Sequence, residues 1–287
     1  MYPPQLIREQ PELLEAARHL STEKYLGVDT ESNSFYAYKP RICLIQISTE
    51  HRDFILDPLS LGDLSPLGSI FADPAIEKIL HAADNDLIGL RREFRFRLRT
   101  VFDTAAACRI LGRNHLGLAR ILSEEFGINA DKQLQRCNWQ RRPLTAKQLF
   151  YAQLDTHFLI RLRHRLHRQL LQSNLWEAAA KQFARIEQIR PKPVKGWHPN
   201  GYLRLKGADR LSPVSLKTLK ALFSYRERLA RKADKAPFRI MNNDVLVRLA
   251  RELPQDRAAL SQIRGLPSHF KGRGGGELLL ILDAGKD

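Results

Sequence analysis

The segment Tyr25-Leu-Gly-Val-Asp-Thr-Glu31 constrains this chain most. It is an apolar run of strand length ending in two acids one residue apart, and side chains two apart on a strand point the same way. Asp29 and Glu31 therefore share a face at the end of what reads as a buried central strand. Two like charges there repel each other and resist leaving water, so the pair needs a cation or a donor between them. A divalent metal is the simplest such cation. A polar strand end entering a turn is the competing reading, and these residues alone leave both open.

The flanking pattern sets the fold class. Residues 5 to 20 read as an amphipathic helix, and the strand at 25 to 29 is followed by strand-like runs at 41 to 48 and 53 to 57, a meander. From residue 66 helix and strand alternate, with strands at 78 to 81 and 100 to 102 and helices near 66 to 76, 85 to 96, 116 to 126, 145 to 170 and 175 to 188. Asp103 is placed as a structural N-cap. This is a mixed α/β sheet covered by helices. Prolines and glycines between Arg190 and Gly201 mark a linker, and beyond it only helical periodicity remains, opened by the N-cap and proline of Ser212-Pro213. The expected organisation is a domain over 1–189, a linker over 190–206 and a small all-α domain over 207–287.

Charge narrows the function. The net charge is +16, yet residues 1 to 90 hold 7 Lys and Arg against 14 Asp and Glu, whereas 91 to 287 hold 40 against 17. An acidic pocket within a cationic body suits a polyanion such as nucleic acid. Arginines gather at 91, 92, 95, 97 and 99, again at 161, 163, 165 and 168, and, with lysines, at Arg226, Arg228, Arg231, Lys232 and Lys235. Such clusters hold a phosphate backbone without reading sequence. The aromatic connection from 31 to 40 is expected either to stack on bases at the mouth of a site or to pack onto the fold. Cys43, Cys108 and Cys137 have no metal-ligand or disulfide spacing, and no run is long and apolar enough to span a bilayer. A cytoplasmic protein without membrane partners is the expectation.

Two further segments carry acids in telling places. His81-Ala-Ala-Asp-Asn-Asp86 joins a strand end to a helix, where open α/β sheets build sites, and Asp84 and Asp86 are both candidates for a capping role. In the helix around 149 to 159, Tyr151 and Asp155 are four apart and share a face, while His157 points elsewhere.

Taken together, Asp29-Thr-Glu31, the segment His81 to Leu87 and Tyr151-x-x-x-Asp155 resemble the three exonuclease motifs of the DEDD superfamily, in its tyrosine-bearing branch. The run Lys132-x-x-Gln135-x-x-x-Trp139-x-x-Arg142-Pro-Leu144 is similar to one in the ribonuclease D family, and residues 207 to 283 resemble an HRDC domain. The resemblance implies a ribonuclease-H-like sheet and a 3′-5′ exonuclease releasing nucleoside 5′-monophosphates from RNA 3′ ends, in tRNA or other stable RNA processing. Asp29, Glu31, Asp86 and Asp155 would bind two divalent ions, Mg²⁺ or Mn²⁺, and Tyr151 would orient the attacking water. The family spacing from His81 selects Asp86 over Asp84. Lys132, Gln135 and Arg142 are candidates for RNA contact, though Arg142 is equally open to pairing with an acid of the fold, and Gln135 and Trp139 to packing. Ribonuclease D carries two helical modules after its nuclease, and these 287 residues have room for one. The same chemistry on DNA, and a noncatalytic nucleic-acid-binding scaffold, are the rival functions; protein partners and oligomeric state are left open.

Overall fold

The computed structural model describes residues 2–129, 132–191 and 198–285, without the side chains of Lys132 and Gln133. It divides into two compact units, one of Met1–Asn33 with Arg41–Lys192 and one of Ser34–Pro40 with Pro193–Asp287. The division is not contiguous, unlike the domains expected from sequence: the short segment Ser34–Pro40 belongs with the C-terminal unit.

The first unit is built on one six-stranded sheet: β1 (Gln5–Ile7), β2 (Tyr25–Ser32), β3 (Ile42–Ser48), β4 (Asp53–Leu56), β5 (Glu77–Leu80) and β6 (Val101–Asp103), in the order β1-β4-β3-β2-β5-β6. The meander β2-β3-β4 is antiparallel, while β5 and β6 add in parallel on one side and β1 on the other. Helices α1 (Gln10–Leu20), α2 (Ser65–Ala72), α3 (Asp84–Phe94), α4 (Thr104–Ile110), α5 (Leu118–Phe126), α6 (Ala146–His157), α7 (Leu159–Gln172) and α8 (Trp176–Glu187) flank it. Leu26, Val28, Ile45, Ile47 and Ile79 are fully buried between the layers. This is the mixed α/β architecture expected.

Two elements differ from the sequence reading. Residues 5–7 pair in register with Phe54 to Leu56 as an edge strand, and α1 begins only at Gln10, where the Glu12 carboxylate accepts the Arg8 and Glu9 N–H groups. The stretch 145 to 170 is two helices that break at Phe158. The junction lets α6 lie across β2, β3 and β4 while α7 continues over β2 and β5 and packs on α4.

Where α6 and α7 cross β2 the layers are very close. A Cβ placed on Gly27 would meet the Thr156 carbonyl oxygen at 2.8 Å and the Leu159 Cβ at 3.3 Å. Only glycine fits there without moving a layer.

The second unit is helical: α9 (Pro213–Lys232), α10 (Pro237–Ile240), α11 (Asn243–Glu252), α12 (Arg257–Gln262), α13 (Ser268–Lys271) and α14 (Gly275–Ala284) enclose a core of Leu219, Leu222, Leu246, Leu249 and Leu278. The Ser212 hydroxyl accepts the Ser215 N–H and caps α9 as expected. The aromatic connection packs here: the Tyr36 carbonyl accepts the Ala236 N–H, Arg239 covers the Tyr36 ring at 3.7 Å, and Tyr38 lies against this core. Of the basic cluster on α9, Arg226 is not a surface cation. It is 4% exposed and donates to the Met241 carbonyl and the Asn243 side chain. Arg228 pairs with Glu277, leaving Arg231, Lys232 and Lys235 exposed. No helix is long and apolar enough to cross a membrane among the described residues.

Candidate active site

The parallel pairing of β2 with β5 runs from Tyr25 to Gly27, and Asp29 and Glu31 lie beyond it, on the part of β2 held by β3 alone. A β-bulge between Glu31 and Ser32 ends the regular ladder. Bulges of this kind re-aim side chains beside sites. Directly opposite Asp29 on β3 is Gln46, fully buried with neither amide atom hydrogen-bonded. Across the layer, α6 carries Asp155, and one carboxylate oxygen from each of Asp29, Glu31 and Asp155 lies within 4.8 Å of the others.

The fourth acid comes from the turn after β5. Asp103 accepts the N–H groups of Ala82 and Ala83 as well as that of Ala106, so one carboxylate shapes the entry to α3 and caps α4. Ala82 adopts a positive φ of 56° in that turn. Asp84 makes no capping bond and is exposed, whereas Asp86, one helical residue pair on, is 8% exposed and accepts the Thr30 hydroxyl at 2.5 Å. The capping role open to Asp84 is therefore filled by Asp103. Asp29, Glu31, Asp86, Tyr151 and Asp155 line one cleft of about 470 Å³, with His81, Asn85 and Gln135 on its walls.

The electrostatics of this cleft favour a bound cation. Burial first, then the neighbouring acids, push every carboxyl up: Asp29 well above its ordinary range, Glu31 to about 9, Asp155 to about 7. Asp86 rises to about 6 through burial, held back by the Thr30 hydroxyl. The Tyr151 phenol donates to Asp155, and burial with the nearby acids raises it strongly, so it stays protonated at neutral pH. Burial lowers the His81 imidazole, whose Nδ1 lies 2.8 Å from the Thr104 hydroxyl.

A stability prediction follows from the signs. Each acid is raised in the folded state, so its favourable contribution is complete below about pH 4, the unfolded value, and is lost as pH climbs through about 6, 7 and 9. Thermal melts of chelator-treated protein should show Tm falling across that window. The Tm gain on adding Mg²⁺ should be larger at pH 8 than at pH 5, by roughly 5 °C or more. Equal gains at both pH values would mean that these carboxyls do not bind the ion.

Of the residues considered for RNA contact, Gln135 is exposed on the cleft wall and the side chain of Lys132 lies outside the described residues. Arg142 takes the other course open to it. Its guanidinium forks onto the fully buried Asp57 at 2.5 and 2.6 Å and donates to the carbonyls of Trp139, Arg141 and Cys43. With all its donors turned inward it has none left for phosphate. The pair anchors the loop that sets Trp139, 1% exposed, beside the Tyr151 ring at 5.9 Å. Arg163 is likewise committed, to Glu77 at 2.6 and 3.0 Å, and Arg165 binds Glu125. Thr30 is a site residue the sequence did not single out: a threonine between two acids carries no pattern that reveals a partner 56 residues away.

Comparison with known proteins accords with this geometry. A family model described as 3′-5′ exonuclease matches residues 4–171, and an HRDC domain model matches residues 215–282. The exosome complex component 10 homolog of Caenorhabditis elegans is 32% identical over 280 residues, covering 95% of this chain and 32% of that protein. The chain spans about a third of the length of that relative and 43% of RRP6-like 1 from Arabidopsis thaliana, which is 31% identical. Among solved structures, the catalytic core of RRP6 from Trypanosoma brucei is 28% identical with a TM-score of 0.86, covering 99% of this chain and 79% of that one. Escherichia coli RNase D, described as an exoribonuclease involved in structured RNA processing, is 27% identical with a TM-score of 0.72, covering 99% and 76%. The resemblance to ribonuclease D thus widens to include RRP6. The chain belongs to the 3′-5′ exonuclease family and carries an HRDC domain after its nuclease fold.

Proposed function

We propose that this protein is a divalent-metal-dependent 3′-5′ exoribonuclease that shortens RNA from its 3′ end and releases nucleoside 5′-monophosphates. The observation that carries the reading is the grouping of Asp29, Glu31 and Asp155 within 4.8 Å, with Asp86 and a protonated Tyr151 in the same cleft. The residues fit a metal: hard oxygen donors, buried and mutually repelling, are what Mg²⁺ or Mn²⁺ selects. Four acids, three grouped and the fourth set apart on α3, suit two ions better than one. Bound divalent ions would activate a water and stabilise charge at the leaving 3′ oxygen.

The chain's own residues do the rest. Asp29, Glu31, Asp86 and Asp155 would hold the ions. Tyr151 is too weak an acid to serve as a base at neutral pH, so its phenol positions water or the phosphate by hydrogen bonding while its bond to Asp155 fixes the ring. Trp139 and the Asp57–Arg142 pair keep that ring in place from behind. RNA is chosen over DNA as the substrate on the strength of the RNase D relative, whose description as an exoribonuclease of structured RNA processing supports 3′-end processing of structured RNA, with tRNA precursors as the proposed substrates.

The test is a paired assay with 5′-labelled RNA and DNA of one sequence in Mg²⁺ and in Mn²⁺. Stepwise loss of mononucleotides from the RNA 3′ end is expected, with no turnover in EDTA. Degradation of DNA alone would overturn the substrate, and activity in EDTA the metal dependence.

A further inference from the structure

At the far end of α3 from the cleft lies a second concavity, of about 520 Å³, whose walls carry Arg91, Arg95, Arg97, Arg99 and Arg190 with a single acid, Glu187. Its construction is local. α3 ends at Arg95, which takes the left-handed conformation, φ 61°, and stops the helix. The chain then alternates: Phe96 and Leu98 are 6% and 3% exposed and enter the core, while Arg95, Arg97 and Arg99 stand outward as a comb. Arg91 completes the floor, donating to the carbonyl oxygens of Glu187 and Ile189, which leaves its charge uncompensated. The one carboxylate is also engaged, accepting the Val101 N–H at 2.8 Å.

Several arginines of this unit are paired with carboxylates: Arg113 and Arg165 share Glu125, Arg142 meets Asp57 and Arg163 meets Glu77. Among the described residues none of the five in this concavity forms an ion pair. Burial together with Arg190 and Arg97 holds the Arg91 guanidinium below its ordinary value. Such crowding of like charges costs free energy that an anion in the same space would relieve. Guanidinium forks match phosphate oxygens two at a time. Among the described residues the walls offer no exposed aromatic anchor of the kind that dominates protein interfaces. Position along α3 adds the rest: Asp86, in its first turn, lines the catalytic cleft, and Arg95 is nine residues further, about 14 Å along the axis. An RNA strand running along α3 would span that distance in a few nucleotides.

We propose that this arginine concavity is a second RNA-backbone site, which grips phosphodiesters upstream of the 3′ end that occupies the cleft. It acts without sequence preference and makes the enzyme favour RNAs long enough to bridge both places. The proposal rests on the ribonuclease reading of the cleft, and its test is arranged to separate the two.

The full chain is compared with a variant carrying R95Q, R97Q and R99Q, and with R190Q, which alters the same concavity from another segment. Turnover in Mg²⁺ is measured on RNAs of 4 and 20 nucleotides, and binding of the 20-mer is measured in EDTA over a range of NaCl. The triple variant should leave the 4-mer kcat and KM unchanged. It should raise KM for the 20-mer about tenfold or more with kcat held, and should flatten the slope of log Kd against log salt by about 2, some 0.7 for each lost phosphate contact. R190Q should give a smaller change of the same kind. Unaltered 20-mer affinity and salt slope in both variants would overturn the proposal, as would preferential binding of polyglutamate, which would assign the concavity to an acidic protein. If neither RNA is degraded by the unaltered chain, the nuclease reading fails, while the EDTA binding arm still decides the concavity.

Discussion

Replacing Asp155 by Asn is expected to lower nucleotide release from RNA on the order of 10³-fold or more while making the metal-free protein more resistant to heat. The two effects have one cause. Asp155 contributes an oxygen to the group with Asp29 and Glu31, and an amide in its place is a poor ligand for a hard cation. Yet in the metal-free fold Asp155 is costly: burial and Asp86 raise it to about 7, so at pH 8 its charge works against folding. Asn keeps the shape and removes that penalty. The Tm of the chelated variant should exceed that of the unaltered protein at pH 8, converge with it near pH 4, and respond little to Mg²⁺. Unaltered turnover would remove Asp155 from the site. Lost turnover together with lost thermal resistance would make it a structural residue.

Arg142→Met is expected to be the most damaging substitution away from the acids. Asp57 is fully buried, and Arg142 supplies its bidentate partner while bonding the carbonyls of Trp139, Arg141 and Cys43. Removing the cation strands a buried carboxylate, which costs about 3–5 kcal/mol, or a fall in Tm of roughly 10–15 °C. Arg142→Lys should recover little, because an ammonium cannot reproduce the fork. The double change Asp57→Leu with Arg142→Met should recover much of the loss, since it is the unpaired charge and not the missing bond that is expensive. Denaturant unfolding of the four proteins measures this directly. A single variant within about 1 kcal/mol of the parent, with a raised KM for RNA, would return Arg142 to phosphate binding.

The acids of the cleft were legible because their spacing is governed by the element that carries them. Two residues apart on β2 and four apart on α6 are local rules, and the turn after β5 is where sheets of this class place side chains. What could not be read depends on pairings between distant segments. Whether an arginine meets phosphate or a carboxylate is undecidable when its partner is 85 residues away, as for Arg142 and Asp57, or 86, as for Arg163 and Glu77. The clusters of basic residues looked alike in sequence; the fold spends some of them internally and leaves Arg91 to Arg99 without carboxylates. The same holds for backbone. The apolar periodicity of α1 ran on into residues 5–7, whose hydrogen bonds go to β4 instead, and the long helical pattern after residue 145 concealed the break at Phe158. The connection 31 to 40 was open in sequence to lining a cleft or packing onto the fold, and Ser34–Pro40 takes the second course, with partners among Asp234, Ala236 and Arg239.

Gly27 carries a consequence of its own. Its hydrogen side chain lets the Thr156 carbonyl settle against β2, and Thr156 follows Asp155 by one residue, as Asp29 follows Gly27 by two. The distance across which the acids of the cleft face one another is thus gauged by a methyl group that is not there. Any larger residue at position 27 must lift α6 from the sheet and prise the acids apart, although it touches none of them.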